Sequence, residues 1–224
     1  YPTSLNLIVA CDSKTRGIGK NGTIPWHISE DLKYFHKVTT STRDNLINAV
    51  IMGRKTWVSI PMKYRPLVNR LNIIVSRQTV TENQDPNVKW VNSLGAAIRH
   101  AESLPNMDKI FIIGGQEIYT EALNDYVIDR LYVTDVVHLK DDVNMDSYDR
   151  FFPVLPKCYS LKSGEIRLIN EFIECHFLIF EPNPNADEAS YLNCCRNIYL
   201  MGNKRDDRTA TGTTSVFAPP PMVF

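Results

Sequence analysis

A chain of 224 residues has room for one well-buried catalytic core and a modest appendage, not for two full enzymes. Lys plus Arg equals Asp plus Glu at 25 each, so no overall field selects nucleic acid or an anionic membrane, and an anionic ligand has to be met by local basic residues. No apolar run approaches the roughly 18 to 20 residues of a membrane helix, and Tyr1-Pro2-Thr3-Ser4 has no signal-peptide character, which points to a cytoplasmic protein without membrane or nucleic-acid partners. In chain order, residues 5–10, 49–52 and 71–75 are short β-branched runs that predict strands. Residues 30–39, 94–103 and 116–123 carry helical periodicity, each opening near a polar or Gly residue suited to a first turn. Further strands at 110–113 and 131–137 complete an alternation that predicts an α/β fold: a mainly parallel sheet covered on both faces. Residues 158–163 and 172–180 are strands with no helix between them, so they pair antiparallel and close the domain. The polar, Pro-containing stretch from Pro182 to Glu188 reads as a linker, dividing the chain into 1–182, a linker at 183–190, and a tail at 191–224.

The five cysteines, Cys11, Cys158, Cys175, Cys194 and Cys195, are odd in number and lack C-x-x-C spacing, so they read as reduced thiols with no metal site. Gly17-Ile18-Gly19-Lys20-Asn21-Gly22 matches G-x-G-x-x-G, but a dinucleotide fingerprint opens directly into a helix and this one runs into Thr23-Ile24-Pro25-Trp26. It reads as a flexible glycine loop, either a plain surface connection or a mobile lid. On the helix that follows, Asp31, Phe35 and Val38 fall at i, i+4 and i+7, placing a carboxylate on an apolar face, while Glu30, Lys33 and Lys37 face water. A first-turn Asp ordinarily just complements the helix dipole. Beside Trp26, Leu32 and Phe35 it can instead accept a pair of hydrogen bonds from an amidine-like edge on a flat heterocycle.

Two strand–glycine–helix turns, at Gly53-Arg54-Lys55-Thr56 and Gly114-Gly115-Gln116-Glu117, aim backbone N–H groups outward and suit a pyrophosphate approached from both sides. Ser76 and Arg77 end the strand at 71–75, where a site for the unphosphorylated ribose would more often offer an acid, so the pair favours a 2′-phosphate.

Together these pieces resemble the dihydrofolate reductase family. The likeness rests on the loop from Gly17 to Trp26, Asp31, Ile51-Met52-Gly53-Arg54-Lys55-Thr56-Trp57, Leu67 with Arg70, Ser76-Arg77, Ile113-Gly114-Gly115 and Tyr132-Val133-Thr134, and covers about residues 4–181. The resemblance implies a three-layer fold, with a mainly parallel sheet and an antiparallel C-terminal strand, that reduces dihydrofolate with NADPH and uses no metal. It implies that Asp31 binds the pterin edge with Thr134 bonded to it, that Trp26 fixes a substrate-side water, and that Thr56 and Tyr119 line the meeting of nicotinamide and pterin. Ile8, Val9, Ala10, Ile24, Leu32, Phe35, Ile60, Leu67 and Ile113 would form the substrate pocket, with Arg70 on the α-carboxylate of the glutamate tail. NADPH would lie against Ala10, Ile18, Gly22, Gly53, Arg54, Lys55, Thr56, Ser76, Arg77, Gly114, Gly115, Gln116, Glu117, Ile118 and Tyr119. Closure of the Gly17 to Gly22 loop would order the site.

The tail carries a second resemblance. Residues 191–198 and 205–217, with Arg205-Asp206-Asp207-Arg208-Thr209, look like the start of a thymidylate synthase, in which Arg208 would bind nucleotide phosphate. This is the arrangement of a bifunctional reductase–synthase, whose synthase catalytic region would lie beyond Phe224 and whose homodimer would form through that missing domain. Two other readings are a noncatalytic pterin- or nucleotide-binding module and a relative of the pyrimidine deaminase-reductases; the second leaves Asp31 with Arg70 unexplained.

Overall fold

The computed structural model describes residues 3–78, 85–139 and 148–183, and the backbone of two short strands in the tail. The elements in chain order are β1 (Ser4–Asp12), β2 (Gly17–Gly19), α1 (Ser29–Thr40), β3 (Ile47–Gly53), α2 (Arg54–Ser59), a 3-10 turn (Met62–Tyr64), β4 (Arg70–Val75), β5 (Val88–Val91), α3 (Leu94–Glu102), β6 (Met107–Ile112), α4 (Gln116–Asp125), β7 (Arg130–His138), β8 (Arg150–Phe151), β9 (Tyr159–Leu168) and β10 (Ile173–Pro182). In the tail, β11 (Asn203–Arg205) and β12 (Thr213–Ser215) pair antiparallel.

Eight strands form one sheet in the order β5-β4-β3-β6-β1-β7-β10-β9. The six from β5 to β7 run parallel, while β10 lies antiparallel to β7 and β9 antiparallel to β10. β6 inserts between β1 and β3, so the chain's strand order reverses there and opens a crevice at the carboxyl ends of the strands, where ligands of open α/β sheets sit.

Strand alternation divides the core. Leu5, Leu7, Val9 and Cys11 of β1 join Ile51, Ile73, Ile110 and Ile112 on one face, under Leu94, Ile98 and Ala101 of α3 and Ile118, Tyr119 and Leu123 of α4. Ile8, Val50, Met52, Ile74, Phe111 and Tyr132 take the other face, under Tyr34, Phe35 and Val38 of α1 and Trp57 of α2. Burial on both faces is why these strands read as continuous apolar runs rather than alternating ones. α3 starts where the Ser93 hydroxyl accepts from the Ala96 N–H at 3.2 Å. α1 has no side-chain cap and instead carries Glu30 and Asp31 near its positive end.

The closing hairpin is longer than the sequence suggests: β9 runs to Leu168 and β10 to Pro182, and the Asn170 side chain organises the turn by accepting from the N–H groups of Phe172 and Ile173. β2 and β8 carry too few apolar residues to signal themselves and β5, Val-Lys-Trp-Val, is only four residues long, so all three form by pairing with neighbours. The glycine loop is not a free loop. β2 pairs with β8, and Lys20-Asn21-Gly22-Thr23 closes as a tight turn with reciprocal Lys20–Thr23 backbone bonds of 2.9 and 3.0 Å. Asn21 and Gly22 both have positive φ, 52° and 77°, the combination such hairpin turns require. The linker and tail expectations at 184–224, Arg208 included, lie outside the described residues apart from those two strands.

Candidate active site

The cleft lies between α1 and the second core face. Asp31 sits in the first turn of α1 with its side chain turned to the sheet, where the Thr134 hydroxyl of β7 donates to its carboxylate. Burial raises the Asp31 pKa above its ordinary value, and the Thr134 bond pulls the other way without cancelling the rise. No cation among the described residues pairs with Asp31. One turn on, Phe35 presents its ring to the cleft, and two turns on Thr39 is fully buried.

Arg70 meets α1 at that point. Its NH1 donates to Thr39 Oγ1 at 2.6 Å and its Nε to the Val68 carbonyl at 3.0 Å, and its guanidinium lies 5.7 Å from the Phe35 ring centroid. Arg70 is 5 % exposed, and burial alone brings its pKa down to about 10. No carboxylate among the described residues pairs with it, which leaves three of its five N–H donors uncommitted.

Ile8 forms the floor, and Phe35, Ile60, Leu67 and Ile113 pack partly buried around it, so these expected pocket residues do come together. Leu67 is held by a buried polar residue that the sequence reading passed over: Asn72 accepts from the Leu67 N–H at 2.9 Å and donates to its carbonyl at 3.0 Å. Asn48 does the same for the end of α1, donating to the Thr39 and Ser41 carbonyls. A polar residue interrupting an apolar strand run was the available signal for both.

Not every expected residue lines the packed part of the cleft. The Val9 side chain faces the opposite core, because neighbouring residues of a strand alternate between faces. Ile24 and Leu32, 61 % and 48 % exposed, form an open apolar rim rather than a packed wall. Tyr119 is buried, its hydroxyl donates to the Ile8 carbonyl at 2.8 Å, and its ring lies beneath Gly114, so it supports the turn from below. Ile118 likewise packs in the core. Trp26 stacks edge-on to Tyr148, ring centroids 6.2 Å apart, and anchors the chain entering α1.

The two glycine turns meet at the crevice. The Gly53 N–H donates to the Gly114 carbonyl at 2.8 Å, and a Cβ on Gly115 would stand 3.1 Å from Thr56 Oγ1. Gly114 takes a φ of +113°, open only to glycine at low cost, and joins Gly115 through a cis peptide. Neither α2 nor α4 has a side-chain cap, so their first-turn N–H groups remain available, beside exposed Arg54 and Lys55. This arrangement fits a pyrophosphate-bearing cofactor. Ser76 and exposed Arg77 follow β4 at the same end of the sheet. Ala10 and Ile18 are half-buried, Gly22 is exposed at the tip of its turn, and Glu117 is exposed in the first turn of α4. The Gln116 side-chain oxygen accepts from the Phe151 N–H at 2.8 Å, which ties β8 to α4 and leaves its amide N–H groups for a ligand.

Residues 4–171 match the family model described as dihydrofolate reductase. The chain belongs to the dihydrofolate reductase family. It is 44 % identical over 183 residues to a putative dihydrofolate reductase of Caenorhabditis elegans, covering 79 % of this chain and 93 % of that one. It is 40 % identical to the dihydrofolate reductase of Candida albicans, over 65 % of this chain and 75 % of that one. Against a bifunctional dihydrofolate reductase-thymidylate synthase of Arabidopsis thaliana it is 34 % identical over 96 % of its own length. It spans only 44 % of that protein. Family membership implies a nicotinamide cofactor and a folate substrate, and no helix among the described residues is long and apolar enough to cross a membrane.

Proposed function

We propose that the domain at 1–182 reduces 7,8-dihydrofolate to tetrahydrofolate with NADPH. The observation that carries this reading is a pair of buried charges without protein counter-charges: Asp31 at one end of α1, and Arg70 docked on Thr39 eight residues further along. Eight residues of helix span about 12 Å. A ligand with an amidine-like edge at one end and a carboxylate at the other satisfies both, with an aromatic middle against Phe35, Ile60 and Leu67.

Asp31 would accept two parallel N–H bonds from the pterin edge, and Thr134 would fix the orientation of its carboxylate. Because burial raises its proton affinity, Asp31 favours the cationic, product-like ring. The proton for N5 comes from solvent, for which the open rim at Ile24 and Leu32 leaves a path. The turns at Gly53 and Gly114-Gly115 would hold the cofactor pyrophosphate with Arg54, Lys55 and Thr56, and Ser76 with Arg77 would select a 2′-phosphate. When bound, NADPH supplies the hydride; the chain supplies alignment. The tail at 191–224 belongs, on this reading, to the start of a thymidylate synthase domain in a longer cytoplasmic protein that dimerises through it, with Arg208 as its phosphate ligand.

The test follows NADPH absorbance with dihydrofolate, beside NADH and an Asp31→Asn variant. The expected result is NADPH-preferring turnover that falls by about a hundredfold or more in the variant. A rate that Asp31→Asn leaves unchanged would overturn the role of the acid. A folded protein that binds both ligands and turns over neither would be a binding module.

A further inference from the structure

A second concavity lies between the last turn of α1 and the start of β6 and β7. It encloses about 240 Å³ and is lined by Lys37, Val38, Ser41, Lys109, Arg130 and Tyr132. Lys109 aligns with Ser4 and Arg130 with Asn6, both at the amino end of β1; Arg70 also lies at the amino end of its strand, β4, but β3 and β6 stand between β4 and β1.

Three cations converge here with donors to spare. Lys109 Nζ gives bonds to the Ser41 carbonyl at 2.8 Å and to Asp108 at 3.1 Å, leaving one of its three. Arg130 directs Nε and NH2 to Glu181 at 2.9 and 2.6 Å and a further hydrogen bond to the Tyr132 hydroxyl, leaving two of its five N–H donors. Lys37 is exposed and has no carboxylate partner among the described residues.

The surrounding acids are already shared. Asp108, 2 % exposed, is divided between Lys109 and Arg43, and Glu181 between Arg130 and Lys162. With Glu165, which pairs with Arg167 and feels Lys37, that makes three carboxylates against Lys37, Arg43, Lys109, Arg130, Lys162 and Arg167, a surplus of positive charge among these groups in a chain that is neutral overall. The negative end of α1 does not absorb it: the His36, Lys37, Thr39 and Ser41 carbonyls already accept from Thr40, Ser41, Asn48 and Lys109.

We propose that this cleft is a second anion site, suited to a compact ligand with clustered phosphate or carboxylate oxygens held by Lys37, Lys109 and Arg130. Several acceptor oxygens on one small group match donors arriving from three separate elements, beside the apolar surface of Val38 and Tyr132.

The experiment titrates the whole chain with inorganic pyrophosphate, and separately with citrate, at constant ionic strength, and reads the heat of binding. Saturable binding that persists with excess NADPH present, and that Lys37→Gln and Arg130→Gln each weaken by about tenfold, is expected. Tighter binding of pyrophosphate would identify a phosphate ligand, and tighter binding of citrate a polycarboxylate. Lys37 makes no hydrogen bond through its side chain among the described residues, so Lys37→Gln lowers the melting temperature only slightly, through its place in the last turn of α1 and its attraction to Glu165. No saturable heat beyond that of chloride, or affinities that both substitutions leave unaltered, would overturn the site.

Discussion

Replacing Arg70 with Met separates what the buried guanidinium does for the fold from what it does for the ligand. Burial brings its pKa from 12.5 to about 10, which makes the charged form cost the folded state about 3 kcal/mol. Between those two values the unfolded chain holds more protons, so the penalty is fully present below about pH 10, neutrality included, and is relieved only as pH rises through that window. Against it stand the bonds to Thr39 Oγ1 and the Val68 carbonyl, at about 1.5 kcal/mol each for a charged donor. The two sides nearly cancel. Thr39 is not stranded by the change, because its own hydroxyl donates to the Phe35 carbonyl at 2.7 Å, and Met keeps the apolar stem against Phe35. Urea unfolding of Arg70→Met is therefore expected to differ from the parent by no more than about 1 kcal/mol. The ligand loses two charge-assisted bonds worth about 1.5 kcal/mol each, so KM for dihydrofolate rises by about a hundredfold, with kcat little changed. A variant that unfolds about 3 kcal/mol more easily and keeps its KM would make Arg70 a structural residue.

Asp31 gives the opposite sign. Its folded-state pKa is raised above the ordinary 3.8, so the native state binds more protons through that window and stability falls as pH rises across it. Asp31→Asn is expected to be more stable than the parent near pH 7 and equal to it near pH 3, measured by denaturant unfolding at both; equal stability at both would remove the burial penalty from the account. Thr134→Val deletes the bond that favours the carboxylate, so the acid limb of the kcat/KM profile moves to higher pH. An unmoved limb would uncouple Thr134 from Asp31. A Cβ on Gly17 would clash with the Tyr148 ring, so Gly17→Ala should destabilise by about 1–3 kcal/mol, and much less in a Tyr148→Ala background. Additive effects in that double-mutant cycle would show that the two do not touch.

The parts of the fold legible in the sequence are those whose burial is two-sided or periodic. The strands at β1, β3, β4, β6 and β7 are apolar because both faces are covered, and α1, α3 and α4 show one apolar stripe each. β2 and β8 were not legible, since three residues of Gly-Ile-Gly against Arg150-Phe151 carry no period of their own and depend on a contact across more than a hundred residues. For the same reason the glycine loop read as free: Asp149 accepts the Asn21 N–H at 2.9 Å, and nothing local announces it. Of the site, the charged and glycine positions were legible because their chemistry is costly anywhere else. Side-chain direction was not. Val9 and Tyr119 lie beside the cleft in sequence and backbone, yet strand alternation and the turn of α4 point both into the core.

α1 explains how two buried charges of opposite sign coexist in one cleft without neutralising each other. Asp31 is on its first turn and Arg70 is pinned by Thr39 on its last, so a rigid helix holds them about 12 Å apart, with Phe35 between. Asn48 fixes the far end by bonding the Thr39 and Ser41 carbonyls, and Thr134 fixes the near end. Collapse of the pair would require melting α1 or breaking those bonds, each with a cost comparable to the desolvation it would relieve. The polarity of the cleft is thereby built in before any ligand arrives. On the proposed reading a cationic ring would sit at Asp31 and a carboxylate at Arg70; a ligand turned end for end would place like charges together at both ends of the cleft.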